Sequence, residues 1–141
     1  MIKIVLDANV FVSAVIKSPS NPARILELVK ERKVFLISSN EILSEIRTAL
    51  LYPRLQRLHH RTANEIERFL ENTARISLIV SGKIKVQEIK DDPADNKYLS
   101  VALEGKADFI ISGDRHLKDL KIFHGIRILD PSTFLTLMTK A

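Results

Sequence analysis

Cysteine is absent from the 141 residues. That excludes disulfides and thiolate metal sites, so a metal would have to be held by carboxylate, amide or imidazole groups. Glycine is scarce, with Gly82, Gly105, Gly113 and Gly125 the only four. No P-loop, G-x-G-x-x-G or G-x-S-x-G pattern runs through them, which excludes the glycine-rich nucleotide-cofactor motifs. No apolar run is long enough to cross a bilayer. The opening stretch MIKIVLDANVFVSAVI lacks a basic leader and a small-residue cleavage site, and Asp7 interrupts it, so it does not read as a targeting segment. A cytoplasmic protein is the expectation. Internal repeats, low-complexity tracts and linkers are missing too, which leads us to expect one domain over residues 1–141.

What remains is an ordinary globular composition, 45% hydrophobic and 28% charged, with a net charge of +5. The excess of cations is a weak pointer to nucleic acid. More informative is that this basic chain places acids at the ends of its apolar segments. Apolar runs at 2–6, 34–37, 76–80, 107–111 and 126–129 read as strands. Helical patterns occupy about 22–32, 39–51 and 62–75, with Pro53 as a break, and further helices begin near Pro93, after Asp114 and at Pro131. This alternation predicts a mainly parallel sheet with helices on both faces. Such folds bind ligands beyond the carboxyl ends of their strands, near the point where strand order reverses.

Asp7 and Asp114 both follow a strand directly. A carboxylate flanked by apolar runs, as Asp7 is, is costly to desolvate unless it is paired or holds a cation. A strand-end acid that caps the next helix is an equally good reading, and position alone leaves both open. Asn9 adds an amide acceptor or shares the turn. Glu45 flanks the apolar stripe of Ile42, Ile46, Ala49 and Leu50. Ser38 and Glu41 have capping-box spacing, which gives Glu41 a structural task. In Lys90-Asp91-Asp92-Pro93-Ala94-Asp95-Asn96, Asp92 suits a helix cap and Asp95 the third helical position. Asp130 precedes Pro131 in the same way and is read as a cap only. His59, His60, His116 and His124 show no ligand or triad spacing, and the pair His59-His60 reads as a solvated basic face. Carboxylates converging without histidine or cysteine suit a hard cation such as Mg2+ or Mn2+.

Four segments in order resemble the PIN domain, and specifically its small VapC-like members. They are Ile4-Val5-Leu6-Asp7-Ala8-Asn9-Val10, Ser39-Asn40-Glu41-Ile42-Leu43-Ser44-Glu45-Ile46, Asp92-Pro93-Ala94-Asp95-Asn96-Lys97-Tyr98-Leu99 and Ala107-Asp108-Phe109-Ile110-Ile111-Ser112-Gly113-Asp114. The resemblance implies a three-layer α/β/α sandwich around a mainly parallel sheet. It implies an endoribonuclease dependent on Mg2+ or Mn2+, with Asp7, Glu45, Asp95 and Asp114 in the positions of the family's acidic quartet. Asp7 and Asp114 would be direct metal ligands. Asp95 would join them directly or through water, and Glu45 would orient the attacking water or hold a second ion. Asn9, Asp92 and Ser112 fall at supporting positions. The resemblance further implies an RNA substrate, a cognate antitoxin, a homodimer and no membrane association.

Two other classes compete with that reading. A PIN fold that binds RNA or a partner without catalysis would keep the basic charge and need no turnover. A phosphatase or phospho-acceptor receiver would also place an aspartate after the first strand. The phosphatase pattern wants a second acid where this chain has Asn9, and the receiver wants an aspartate where Ser38 and Ser39 follow Ile37.

Overall fold

Ile4, Val5 and Leu6 put apolar side chains on both faces of an extended segment, the composition of a strand covered on both sides. In the computed structural model, which describes residues 1–90 and 93–140, this segment is β1 (Lys3–Leu6), with Ile4 to Leu6 buried. The other strands are β2 (Phe35–Ser39), β3 (Leu78–Val80), β4 (Phe109–Ile111), β5 (Ile122–Phe123) and β6 (Ile126–Leu129). They form one sheet in the order β3-β2-β1-β4-β6-β5. Every pairing is parallel except that of β5 with β6, where Phe123 faces Ile126. The expected α/β sandwich with a mainly parallel sheet is what the chain forms.

The helices are α1 (Ala8–Ile16), α2 (Asn21–Lys30), α3 (Asn40–Leu50), α4 (Pro53–His59), α5 (Ala63–Arg75), α6 (Asn96–Gly105), α7 (Arg115–Leu120) and α8 (Pro131–Lys140). Helices α1, α2, α3 and α5 pack against one another, while α6 lies against β1, β2, β3 and β4. The sequence did not announce α1. Six of its nine residues are buried, and a helix that is apolar nearly all round shows no period from which to recognise it. Pro53 does more than break a helix. It opens α4 as a first-turn proline, where its missing N–H costs nothing.

Two local expectations need correction. Helix α3 is capped by Ser39, whose hydroxyl accepts from the Ile42 N–H at 3.2 Å, so Ser38 and Glu41 do not form a capping box. Ser38 still belongs to β2, and the box is found instead at Thr62 and Glu65, at the start of α5. His59 is buried rather than solvated. Its Nε2 bonds the Leu50 carbonyl at 2.9 Å and its Nδ1 accepts from the Arg61 N–H at 3.0 Å, which ties α4 to the end of α3. His60 is exposed and ends α4 in a left-handed conformation.

The polar stretch after β3 has no strand partner among the described residues. Its N–H groups go to side chains spaced four apart on α6. Glu104 accepts from Ser81, Gly82 and Ile84, Ser100 from Val86, and Asn96 from Ile89. One face of a helix thus does for this segment what a neighbouring strand would do.

The chain runs outward from β1 to β2 and β3, then returns through α6 to β4 on the other side of β1. Strand order therefore reverses between β1 and β4, and a crevice opens there at their carboxyl ends. The close seating of α6 on the sheet depends on Gly105. A Cβ there would stand 2.5 Å from Cγ2 and 3.1 Å from Cδ1 of Ile37. Gly105→Ala gains up to about 1 kcal/mol of helix propensity, but overpacking of this kind costs ~1–3 kcal/mol. We expect a net loss of stability, read as a lower urea midpoint with an unchanged m-value.

Candidate active site

Parallel pairing of β1 with β4 sets Leu6 beside Ile111, so the next residue of each strand, Asp7 and Ser112, leaves the sheet at the same edge. The Asp7 N–H still bonds the Ile111 carbonyl at 3.0 Å, and the Ser112 N–H bonds Leu129 at 2.9 Å. With both backbones pinned, the Ser112 hydroxyl donates to Asp7 Oδ2 at 2.6 Å and accepts from the Asp114 N–H at 2.9 Å. Ser112 has no exposed surface, and Asp7 is 3% exposed.

Both aspartates are also helix caps, as position allowed. Asp7 Oδ1 accepts from the Asn9 N–H at 2.9 Å at the start of α1. Asp114 Oδ1 accepts from His116 and Leu117 at 2.8 and 3.2 Å at the start of α7. The cap and the chemistry are compatible, because a carboxylate has more lone pairs than a cap uses. Among the described residues, no hydrogen bond reaches Asp114 Oδ2. Asp7, Asn9 and Asp114 line one open cleft of about 520 Å3 together with Ser13 and the cationic Arg115. Asp130 is a cap, as read from its place before Pro131, accepting from the Thr133 N–H at 2.8 Å. That contact holds its carboxyl below the usual range.

Glu45 lies in the second turn of α3 and reaches this crevice through Tyr98. The buried Tyr98 phenol donates to Glu45 Oε1 at 2.7 Å and accepts from the Ala8 N–H at 3.2 Å, next to Asp7. Lys97 Nζ bonds the other oxygen, Oε2, at 2.5 Å. Burial raises the pKa of Glu45, but the hydrogen bonds from Lys97 and Tyr98, with the charge of Lys97, outweigh it and hold the carboxyl below its ordinary value. Burial pushes the Tyr98 hydroxyl far up, helped by the charge of Asp7 and the bond to Glu45, so it stays a donor. Asp95 is buried at the end of a 3-10 turn, Pro93–Asp95, one residue before α6 and one turn before Tyr98. It is the third residue of the helical stretch that opens at Pro93, as its spacing suggested, and it makes no side-chain cap to α6. Asp92 lies outside the described residues.

The structure thus joins Asp7, Ser112 and Asp114 directly and ties in Glu45 through Tyr98. Among the described residues, no group of three histidine, aspartate or glutamate side chains is gathered closely enough to hold a metal ion. Glu45 and Asp95 do not line the cleft that Asp7 and Asp114 share. In kind, the donors suit a hard cation, since two carboxylates stand at one crevice with no thiolate or imidazole among the cleft residues named above. Tyr98, Lys97 and Arg115 were not singled out by the sequence. For Tyr98 a signal existed, because three residues after Asp95 on a helix is the same face.

Comparison with known proteins identifies the class. The chain belongs to the PIN domain family, whose model matches residues 3–116, a span that begins with β1 and ends just past Asp114. PIN domains are generally nucleases, which fits a hydrolase at that coarse level. Among particular relatives, the chain is 37% identical over 120 residues to uncharacterized protein MJ1680 of Methanocaldococcus jannaschii, covering 85% of this chain and 76% of that protein. Among solved structures it resembles PAE2754 from Pyrobaculum aerophilum, with a TM-score of 0.59 and 16% identity over all of this chain and 91% of that one. That likeness is one of fold. Among the described residues, no helix is long and apolar enough to cross a membrane.

The bond from Tyr98 sets an expectation about pH. A carboxyl whose folded pKa is depressed stabilises the fold above its unfolded pKa, near 4.3, and that contribution is lost as pH falls through the folded value. Tyr98→Phe removes one of the two donors, so the Glu45 titration followed by carboxyl-carbon NMR should move up toward the ordinary glutamate value. The acid-side fall in stability should become shallower. An unmoved Glu45 titration would mean that the phenol does not hold the carboxylate.

Proposed function

We infer that the chain is an endoribonuclease, dependent on Mg2+ or Mn2+, working as one domain over residues 1–141. The observation that carries this reading is the pair Asp7 and Asp114, bridged by Ser112 at the strand-reversal crevice of a PIN domain. Asp7 and Asp114 would hold the divalent ion, with Asp95 joining directly or through water. Glu45 would orient the attacking water or hold a second ion. A divalent ion so bound makes coordinated water a better nucleophile at neutral pH and offsets charge developing on the phosphoryl oxygen.

The chain's own groups have separate tasks. Ser112 keeps the two aspartates side by side. Asn9 presents its backbone N–H to Asp7 and, with its exposed side chain, borders the cleft. Arg115, on the cleft wall, suits a phosphate of the incoming RNA. Asp92 takes a supporting position by motif. Resemblance to the VapC-like members supports the role of toxin in a toxin–antitoxin pair, held by an antitoxin and assembled as a homodimer in the cytoplasm.

A second reading, a PIN module that binds RNA without cleaving it, is favoured by the engagement of both Glu45 oxygens by Lys97 and Tyr98. One experiment separates the two. Purified protein should cleave single-stranded RNA with Mn2+ or Mg2+ and stop when the metal is chelated. Asp114→Asn should lower the rate by on the order of a hundredfold or more while RNA binding persists. Cleavage that continues in excess chelator contradicts the metal mechanism, and binding without turnover under either metal selects the second reading.

A further inference from the structure

Lys97 and Glu45 form an ion pair unlike the others among the described residues. The remaining pairs, Arg24 with Glu27 and Glu31, Lys33 with Glu31, and Arg47 with Glu67, join side chains that are all at least 40% exposed. The Lys97 side chain is 14% exposed, against 43% for Glu45, so it is the lysine that has been withdrawn from water. Its ammonium also stands 5.2 Å from the centre of the Tyr98 ring. Drawing a strongly hydrated ammonium into such a place requires a compensating anion, and Glu45 supplies it.

We propose that Lys97 competes with the divalent cation for the Glu45 carboxylate, and so sets how tightly the acidic crevice holds its metal. This rests on the reading of Glu45 as part of a metal-dependent site. Both oxygens of Glu45 are already engaged, Oε1 by Tyr98 and Oε2 by Lys97. Tyr98 is buried, neutral and fixed at its far side by the Ala8 N–H, so it can stay when a cation approaches. Lys97 cannot share the carboxylate with a second cation without repulsion, and its four-carbon stem lets it leave. It also has somewhere to go. Lys97 lines a cavity of about 390 Å3 that Glu41 lines as well, and Glu41 sits one turn before Glu45 on α3. A lysine displaced from Glu45 would thus still share a cavity with a second carboxylate.

The test is Mn2+ binding to the RNA-free protein, followed by calorimetry and by the free-Mn2+ electron paramagnetic resonance signal. Lys97→Met should tighten binding by roughly fivefold, the scale of one partly exposed ion pair. Lys97→Gln provides a second variant if Lys97→Met does not fold, with far-UV circular dichroism as the check. Glu45→Gln should weaken binding. Within the Glu45→Gln background, Lys97→Met should then change nothing, because the carboxylate they compete for is gone. Unchanged or weaker Mn2+ binding in both Lys97 variants overturns the proposal while leaving the nuclease reading intact. An equal gain in the Glu45→Gln background also overturns it, because that gain would be a general effect of net charge. If the wild-type protein binds no Mn2+, the nuclease reading and this proposal fall together.

Discussion

The parallel pairing of β1 with β4 is the constraint on which the rest of the site depends. Those two strands are distant in sequence, and α6 must cross the sheet to bring them together. Once Leu6 lies beside Ile111, Asp7 and Ser112 have no choice of neighbour. The hydroxyl of Ser112 then fixes the spacing of Asp7 and Asp114 with two short hydrogen bonds. A slip of one residue in this register would turn each side chain to the opposite face and separate the two acids.

Burying a carboxylate as fully as Asp7 is buried carries a large desolvation cost. The structure offsets it in several ways at once. Ser112 and the Asn9 N–H donate to its oxygens, and the N-terminus of α1 places its positive dipole end beside it. Asp114 is held in the same manner at the start of α7. Tyr98 completes the arrangement by accepting the first free N–H of α1 and donating to Glu45. Helices α1, α3 and α6 therefore meet through one phenol. A rigid frame of this kind is what an acidic centre requires, because like charges stay close only where the backbone leaves them no alternative.

Much of this was legible in the sequence. Five of the six strands followed from apolar runs ended by polar turn residues, and the α/β class from their alternation with helices, whereas the two-residue edge strand β5 was too short to show a pattern. Asp7 and Asp114 were readable as strand-end acids because Ile4-Val5-Leu6 and Phe109-Ile110-Ile111 point straight at them. Helix α1 was not legible, since burial on nearly all sides erases periodicity. Nor was the burial of His59, because the residues that enclose it arrive from α3 and from the turn after α4, and no local pattern encodes that. The cap of α3 was misplaced by one residue because Ser38 and Ser39 are equivalent on paper and only the extent of β2 tells them apart. Pairing between Glu45, Lys97 and Tyr98 spans more than fifty positions, a distance over which spacing says nothing.

Every chemical role given to this site depends on whether the crevice between β1 and β4 is where a divalent cation binds. Anomalous diffraction from crystals grown with Mn2+ addresses this directly. The expected result is a strong peak in contact with carboxylate oxygens of both Asp7 and Asp114, with Ser112 still bridging them. Saturating Mn2+ that leaves this crevice empty, or that binds only at some other group of acids, would contradict it.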